Sequence, residues 1–160
     1  MKVKLARTAG FCMGVRLAMD MVLAEANKEE GPLYTLGPLI HNAQVMELLE
    51  SKGVRIVETL DEAQSGRVVI RAHGIPPDLR AAIKRRGLEI RDATCPRVAK
   101  VQAIIRYYSS KGRTCIIVGD PDHPEVVGLL GYNRNSAWVI QSPEDVLALP
   151  DIRRPFVVAQ

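Results

Sequence analysis

Aromatic residues make up only 4% of this 160-residue chain: two Phe, one Trp and four Tyr. Its core must therefore be built from Leu, Ile, Val and Ala rather than around large rings. No apolar stretch approaches the roughly 18 residues that a membrane-crossing helix needs, which argues against a spanning segment. The opening MKVKLARTAGFC has basic residues but no long apolar core and no small-residue cleavage site. A secretory leader is therefore not expected, and a cytoplasmic location is. Cysteines are few, odd in number and far apart (Cys12, Cys95 and Cys115), which argues against a disulfide framework. No C-x-x-C pair is present, so a zinc ribbon is not expected. Basic residues do not gather into a dense run with interleaved aromatics, which speaks against a nucleic-acid partner. No low-complexity linker divides the chain.

What is present is an ordinary globular composition, 47% hydrophobic and 25% charged, with a formal charge of +4 and a pI of about 9.1. Such a balance suits anionic substrates or an acidic partner, although solvated surface is the simpler reading. The local pattern is strand, short turn, helix, repeated. Val3–Ala6 reads as a strand leading through Gly10–Gly14 into a helix to about Ala26. Leu33–Leu36 is a second strand; Asn42 can cap a helix carrying Val45, Leu48 and Leu49 on one face, stopped by Gly53. A short strand at Arg55–Val57 and a helix-like TLDEA follow. Then come an apolar strand at Val68–Ile70, a helix opened by Pro76-Pro77, and a strand at Leu88–Ile90.

The long helix after Cys95 has Pro96 in its first turn, where the missing N–H costs nothing. Cys115–Val118 and Ala137–Ile140 read as strands, Val126–Leu130 as a short helix, and Ser142-Pro143-Glu144-Asp145 as a capped helix start. Continuous apolar strands alternating with helices imply an α/β fold with mostly parallel sheets and helices on both faces. The pattern resets near Cys95, so units at 1–95 and 96–160 are expected. Cys12-Met13-Gly14-Val15 and Cys95-Pro96-Arg97-Val98 share C-x-x-V at a helix start, a faint internal repeat. The final apolar run, Phe156 to Gln160, leads into no helix, so the second unit reads as cut short.

All three histidines and two of the three cysteines fall just after a strand, at or before a helix start. In open α/β sheets ligands bind outside the carboxyl ends of the strands, where helix N-termini offer free N–H groups to anions. Cys12, His41, His73, Cys95 and His123 are thus candidates for one shared rim, with Glu125 close behind. Each has a plainer reading. A histidine in such a turn is often a cap, Cys12 between Phe11 and Met13 can simply be buried, and Glu125 can be a first-turn acid complementing the helix dipole. Cys95 at a helix N-terminus is in a setting that favours metal ligation or nucleophilic chemistry. Cys115 inside its strand reads as core. The donor set suits zinc, through Cys12, Cys95 and two histidines, or a soft iron–sulfur site that leaves the histidines to an anion. Spacing does not choose between them.

Five segments, GFCMGVRLA, LGPLIHNAQVMELLESKGV, VVIRAHGIPP, DATCPRVAKV and GDPDHPEVVG, together resemble the 4-hydroxy-3-methylbut-2-enyl diphosphate reductase family in order and spacing. The resemblance implies reductive dehydroxylation of that allylic diphosphate to isopentenyl and dimethylallyl diphosphates, the terminal step of non-mevalonate isoprenoid biosynthesis. It implies an oxygen-sensitive iron–sulfur cluster of the 4Fe-4S type, held by three cysteines with one iron open to the substrate hydroxyl. Cys12 and Cys95 match two of the ligands, His41, His73 and His123 the histidines around the diphosphate, and Glu125 the acid that delivers protons. A ferredoxin or flavodoxin-like donor is implied as partner. The family chain is about twice as long, with three similar units. Its third cluster cysteine, a Ser/Asn set for the diphosphate and a threonine just past VVAQ lie beyond residue 160, and Cys115 is not at a ligand position. A fragment with little or no turnover of its own is therefore expected. The alternative is a non-catalytic diphosphate- or metal-binding α/β module, with a zinc hydrolase behind it.

Overall fold

The computed structural model describes residues 2–7, 9–28 and 30–160. Among the described residues, seven strands form two parallel sheets flanked by six α-helices. In the first, β1 (Leu33–Leu36), β2 (Val54–Val57), β3 (Arg67–Ile70) and β4 (Glu89–Asp92) lie in the order β2-β1-β3-β4. They are joined by α1 (Met13–Ala26), which precedes them, α2 (Ala43–Ser51) and α3 (Pro77–Arg85). The second sheet has the order β6-β5-β7, from β5 (Thr114–Val118), β6 (Ala137–Ile140) and β7 (Pro155–Ala159). Helices α4 (Pro96–Ser109), α5 (Pro124–Leu130) and α6 (Pro143–Leu147) accompany it. Every strand pairing is parallel.

The apolar runs explain themselves once both faces of the first sheet are seen. Val69 and Leu33 point into a core with Ala18, Val22, Leu39 and Leu49. Val68, Ile70 and Tyr34 point the other way, onto Ile75, Ile83 and Leu88. A strand buried on both faces has no polar side to show, so alternation disappears from its sequence. In the second sheet Cys115 and Ile117 pack with Phe156 and Val158 beneath Val98, Ile105, Val126 and Leu129. Cys115 is core, and burial pushes its thiol up to about 11.

Local chemistry sets the helix boundaries. The Asn42 carboxamide accepts from Val45 N at 3.0 Å, and Ser142 and Asp145 form a reciprocal capping box. Gly53 after α2 has φ +81, the left-handed turn that ends the helix. Three expectations are corrected. Residues 3–6 form no strand: Val3 and Leu5 are 78% and 86% exposed, with no neighbouring strand to complete a ladder. TLDEA shrinks to a single 3-10 turn, Leu60–Glu62, because the Glu62 carboxylate folds back onto the Glu58 and Thr59 N–H groups. Leu48 faces solvent, while Val45 and Leu49 are buried.

Candidate functional site

Both sheets reverse direction at their first strand, and these reversals position the site. From β1 the chain winds to β2 on one side and returns to β3 on the other; from β5 it winds to β6, then to β7 across β5. Loops leaving such a pair of strands diverge and open a crevice between them. His41 follows β1, His73 follows β3, and His123 follows β5. The three rings meet. His41 and His73 stack with centroids 5.9 Å apart, and His73 meets His123 edge-on at 5.2 Å.

Each ring is held by its loop. Buried Leu39 and Ile40 anchor the turn that presents exposed His41. His73 is half-buried, and its Nδ1 is buried without a hydrogen-bond partner. Burial, with Arg71, His123 and His41 adding their charges, lowers its pKa from 6.5 to about 4, so the ring is neutral at pH 7. Gly74 beside it has φ +73, where an L side chain is strained, and a Cβ there would lie 2.4 Å from Gln102 Nε2, which would have to move. His123 caps α5: its Nδ1 accepts from Glu125 N at 3.1 Å. An accepting Nδ1 places the proton of a neutral ring on Nε2, leaving that N–H free for a ligand. Burial raises the Glu125 carboxyl above its ordinary value, and the nearby His123 pulls it partly back.

The two cysteines also come together. Cys12 and Cys95 are the N-caps of α1 and α4, and neither thiol makes a capping hydrogen bond. Cys95 N donates to Ala72 O at 2.9 Å, which sets this cysteine beside the residue that precedes His73. Both sulfurs surround Gly14: a Cβ there would lie 2.7 Å from Cys95 Sγ and 4.0 Å from Cys12 Sγ. Cys12 is exposed and Cys95 half-buried, so the thiols are open to a ligand from outside. Among the described residues no group of three or more His, Cys, Asp or Glu side chains is arranged to hold a metal ion. The three histidine rings group with one another.

A model of the family described as LytB protein matches residues 3–160. The chain belongs to the LytB family. Among LytB relatives it is 47% identical to the 4-hydroxy-3-methylbut-2-enyl diphosphate reductase of Oleidesulfovibrio alaskensis, across all of this chain and 58% of that protein. It is 42% identical to the reductase of the same name from Alkaliphilus oremlandii, again across the whole chain and 58% of the relative. A solved structure of (E)-4-hydroxy-3-methyl-but-2-enyl diphosphate reductase, the terminal enzyme of the non-mevalonate pathway, matches with a TM-score of 0.88 and 36% identity. That match covers 99% of this chain and 57% of the other. The reductase from Plasmodium falciparum gives a TM-score of 0.91 at 29% identity, over 96% of this chain and 49% of the other. The LytB chain described here thus spans 49% to 58% of the length of these relatives.

Three residues of the site escape a reading by motif. Gly14 lies in the first turn of α1, where alanine would favour the helix; the approach of two sulfurs explains its absence. The Gln160 side chain accepts from Asp120 N at 3.1 Å, and Asp120 in turn accepts from Asp122 N, so the loop leading to His123 is pinned at both ends. Arg71, two residues before His73, lies against Gly37 of the opposite loop. A glycine inside a helix pattern was the one legible signal among them; the other two depend on contacts 40 and 34 residues apart in the chain.

Proposed function

We propose that this site serves the reductive dehydroxylation of 4-hydroxy-3-methylbut-2-enyl diphosphate, as part of a reductase whose full length matches that of the relatives. The observation that carries the reading is the convergence of His41, His73 and His123 beside two uncapped thiols. The donor set fits an iron–sulfur cluster of the 4Fe-4S type: two soft ligands, free of internal hydrogen bonds, around a glycine whose missing side chain leaves them room. Cys12 and Cys95 would hold it; when bound, such a cluster stores and passes electrons one at a time.

The chain's own residues bind the substrate and supply its protons. The Nε2–H of His123 and the exposed ring of His41 offer donors to phosphate oxygens. His73, neutral at pH 7, adds polarity without charge until a bound dianion favours its protonation. Glu125, its carboxyl raised by burial, holds a proton to higher pH than an exposed glutamate and is placed to give it to a departing hydroxyl. In the overall reaction the C–O bond breaks, two electrons and two protons are taken up, and one water leaves. Electrons come from a ferredoxin- or flavodoxin-like carrier, in the cytoplasm, and the two halves of the site lie on units divided at residues 95 and 96.

Anaerobic reconstitution with iron and sulfide tests this, with iron counted per chain and the reduced state followed by EPR. Stoichiometric uptake, lost in Cys12→Ala and Cys95→Ala, supports the reading. Absence of a cluster, with pyrophosphate bound through the histidines, would instead favour a non-catalytic anion-binding module.

A further inference from the structure

The chain's positive charge is not evenly spread. Residues 77–113 hold ten Lys and Arg against three Asp and Glu, although the whole chain is only +4, so everything outside this segment is net negative. Two of its three acids are already engaged, Asp92 by Arg80 and Glu89 by Arg91. The segment is α3, β4 and α4, with Cys95 at its centre.

Between α3 and α4 runs an open cleft of about 470 Å³. Arg80 and Lys84 flank it on α3, Arg106 on α4, and Tyr132 closes one end. The Arg106 guanidinium is held 5.0 Å over the Tyr132 ring. A second cavity of about 320 Å³, sharing Pro77, Arg106 and Tyr132 with the first, reaches Arg134. Lys84, Arg106 and Arg134 have no carboxylate partner among the described residues. Short side chains, Ala81, Ala99 and Ala103, make the floor.

This cleft is the rear wall of the site. Ala99 N donates to Cys95 O at 2.9 Å, so the floor begins one helical turn, about 6 Å of rise, from the cysteine. Gln102, also in the floor, packs its amide against Gly74, the neighbour of His73.

The geometry points to the α3–α4 face as the docking surface for a small acidic electron-carrier protein. This rests on the reductase reading, which requires two electrons from outside. The cations are spread from Arg80 to Arg134, along more than one cleft, which matches an acidic protein face better than a single phosphate. Weak electron-transfer encounters bury little area and depend on such complementary charge. Each docked carrier gives up one electron. Two reduced carriers are therefore oxidised for every hydroxyl removed, with two protons consumed and the oxygen leaving as water.

The test titrates the ¹⁵N-labelled 160-residue chain with FMN-loaded flavodoxin and follows amide shifts. Expected are shifts on α3 and α4 and a loss of affinity of about tenfold or more between about 20 and 200 mM NaCl. Lys84→Glu with Arg106→Glu, both on exposed positions and melting as the parent does, should weaken binding at least about tenfold. Arg55→Glu, on the edge strand β2, should leave it unchanged. Shifts elsewhere, or full binding by the double variant, would overturn the proposal. So would pyrophosphate occupying the cleft while flavodoxin does not bind. Iron content is measured in parallel: a normal cluster without docking on this face removes this surface alone, whereas docking without a cluster removes the reductase reading on which it rests.

Discussion

His73 is held well away from its free form. Burial is the main cause of its depressed pKa, with Arg71 next. Because the folded pKa lies below the ordinary 6.5, the fold favours the neutral ring. Its stabilising contribution is fully present above pH 6.5 and is lost as pH falls from there toward 4. NMR of the ring protons should give a midpoint near pH 4, and saturating pyrophosphate should move it upward; a midpoint near 6.5 would contradict the burial seen here. Gly14 offers a second test at this scale. Alanine there favours the helix by about 1 kcal/mol, yet its Cβ would press on Cys95 Sγ and Cβ. Gly14→Ala should keep the circular dichroism and melting of the parent while iron uptake on reconstitution falls by more than half. The motif itself marked Cys12, Cys95 and the histidines, because their types and positions are unusual. It could not mark Gln160 or Arg71, whose roles are long-range contacts.

Among the elements, α1 and α4 stand out. Each is 14 residues long and begins at an uncapped cysteine, so the faint C-x-x-V repeat corresponds to two equivalent helix starts. The far end of α1 is fixed by Glu25, which accepts from Arg67 Nη1 at 2.9 Å and Arg91 Nε at 2.8 Å and pairs with Lys28. These partners lower the Glu25 carboxyl to about 2, the Lys28 bond contributing most. A depressed carboxylate stabilises the fold above its unfolded pKa near 4.5, and that contribution is lost as pH falls through about 2. Glu25→Ala leaves Arg67, 2% exposed, without its buried anion. It should cost about 3 kcal/mol in urea unfolding at pH 7, and a loss under about 1 kcal/mol would show that Glu30, 3.7 Å from Arg67 Nη1, or water takes over the pairing. Most elements were legible because their apolar pattern and caps agree. Among the exceptions, residues 3–6 have strand chemistry but no partner strand, and TLDEA closes as a single 3-10 turn.

At the scale of the molecule, one side chain joins the two halves. Cys95 packs against the core beneath α1 and α2 and also against the core of the second sheet. Cys12, by contrast, is exposed. Both alanine variants should abolish iron uptake, but in the metal-free chain only Cys95→Ala should lower stability, by about 1 kcal/mol; equal melting curves would show that Cys95 is not a packing residue. Length matters at this scale too. The chain spans little more than half the length of the Alkaliphilus oremlandii reductase, and its site contributes two free cysteines, Cys12 and Cys95. Assayed alone with dithionite-reduced mediator, it should turn over the allylic diphosphate poorly or not at all; robust turnover would mean that two thiolates suffice.

The amino-acid order by itself determined the α/β class, the position of nearly every element and the short roster of reactive residues. These follow from local causes: β-branched runs, prolines in first turns, glycines where φ is positive, and capping side chains. Tertiary structure decided which of those residues meet. Only the strand orders β2-β1-β3-β4 and β6-β5-β7 bring three histidine loops to one crevice, and only the folded chain brings Cys95, 81 residues away, beside Gly14 and Cys12. The depressed pKa of His73 and the raised one of Glu125 belong to the same category, since burial is a property of the assembled chain and of no residue in isolation.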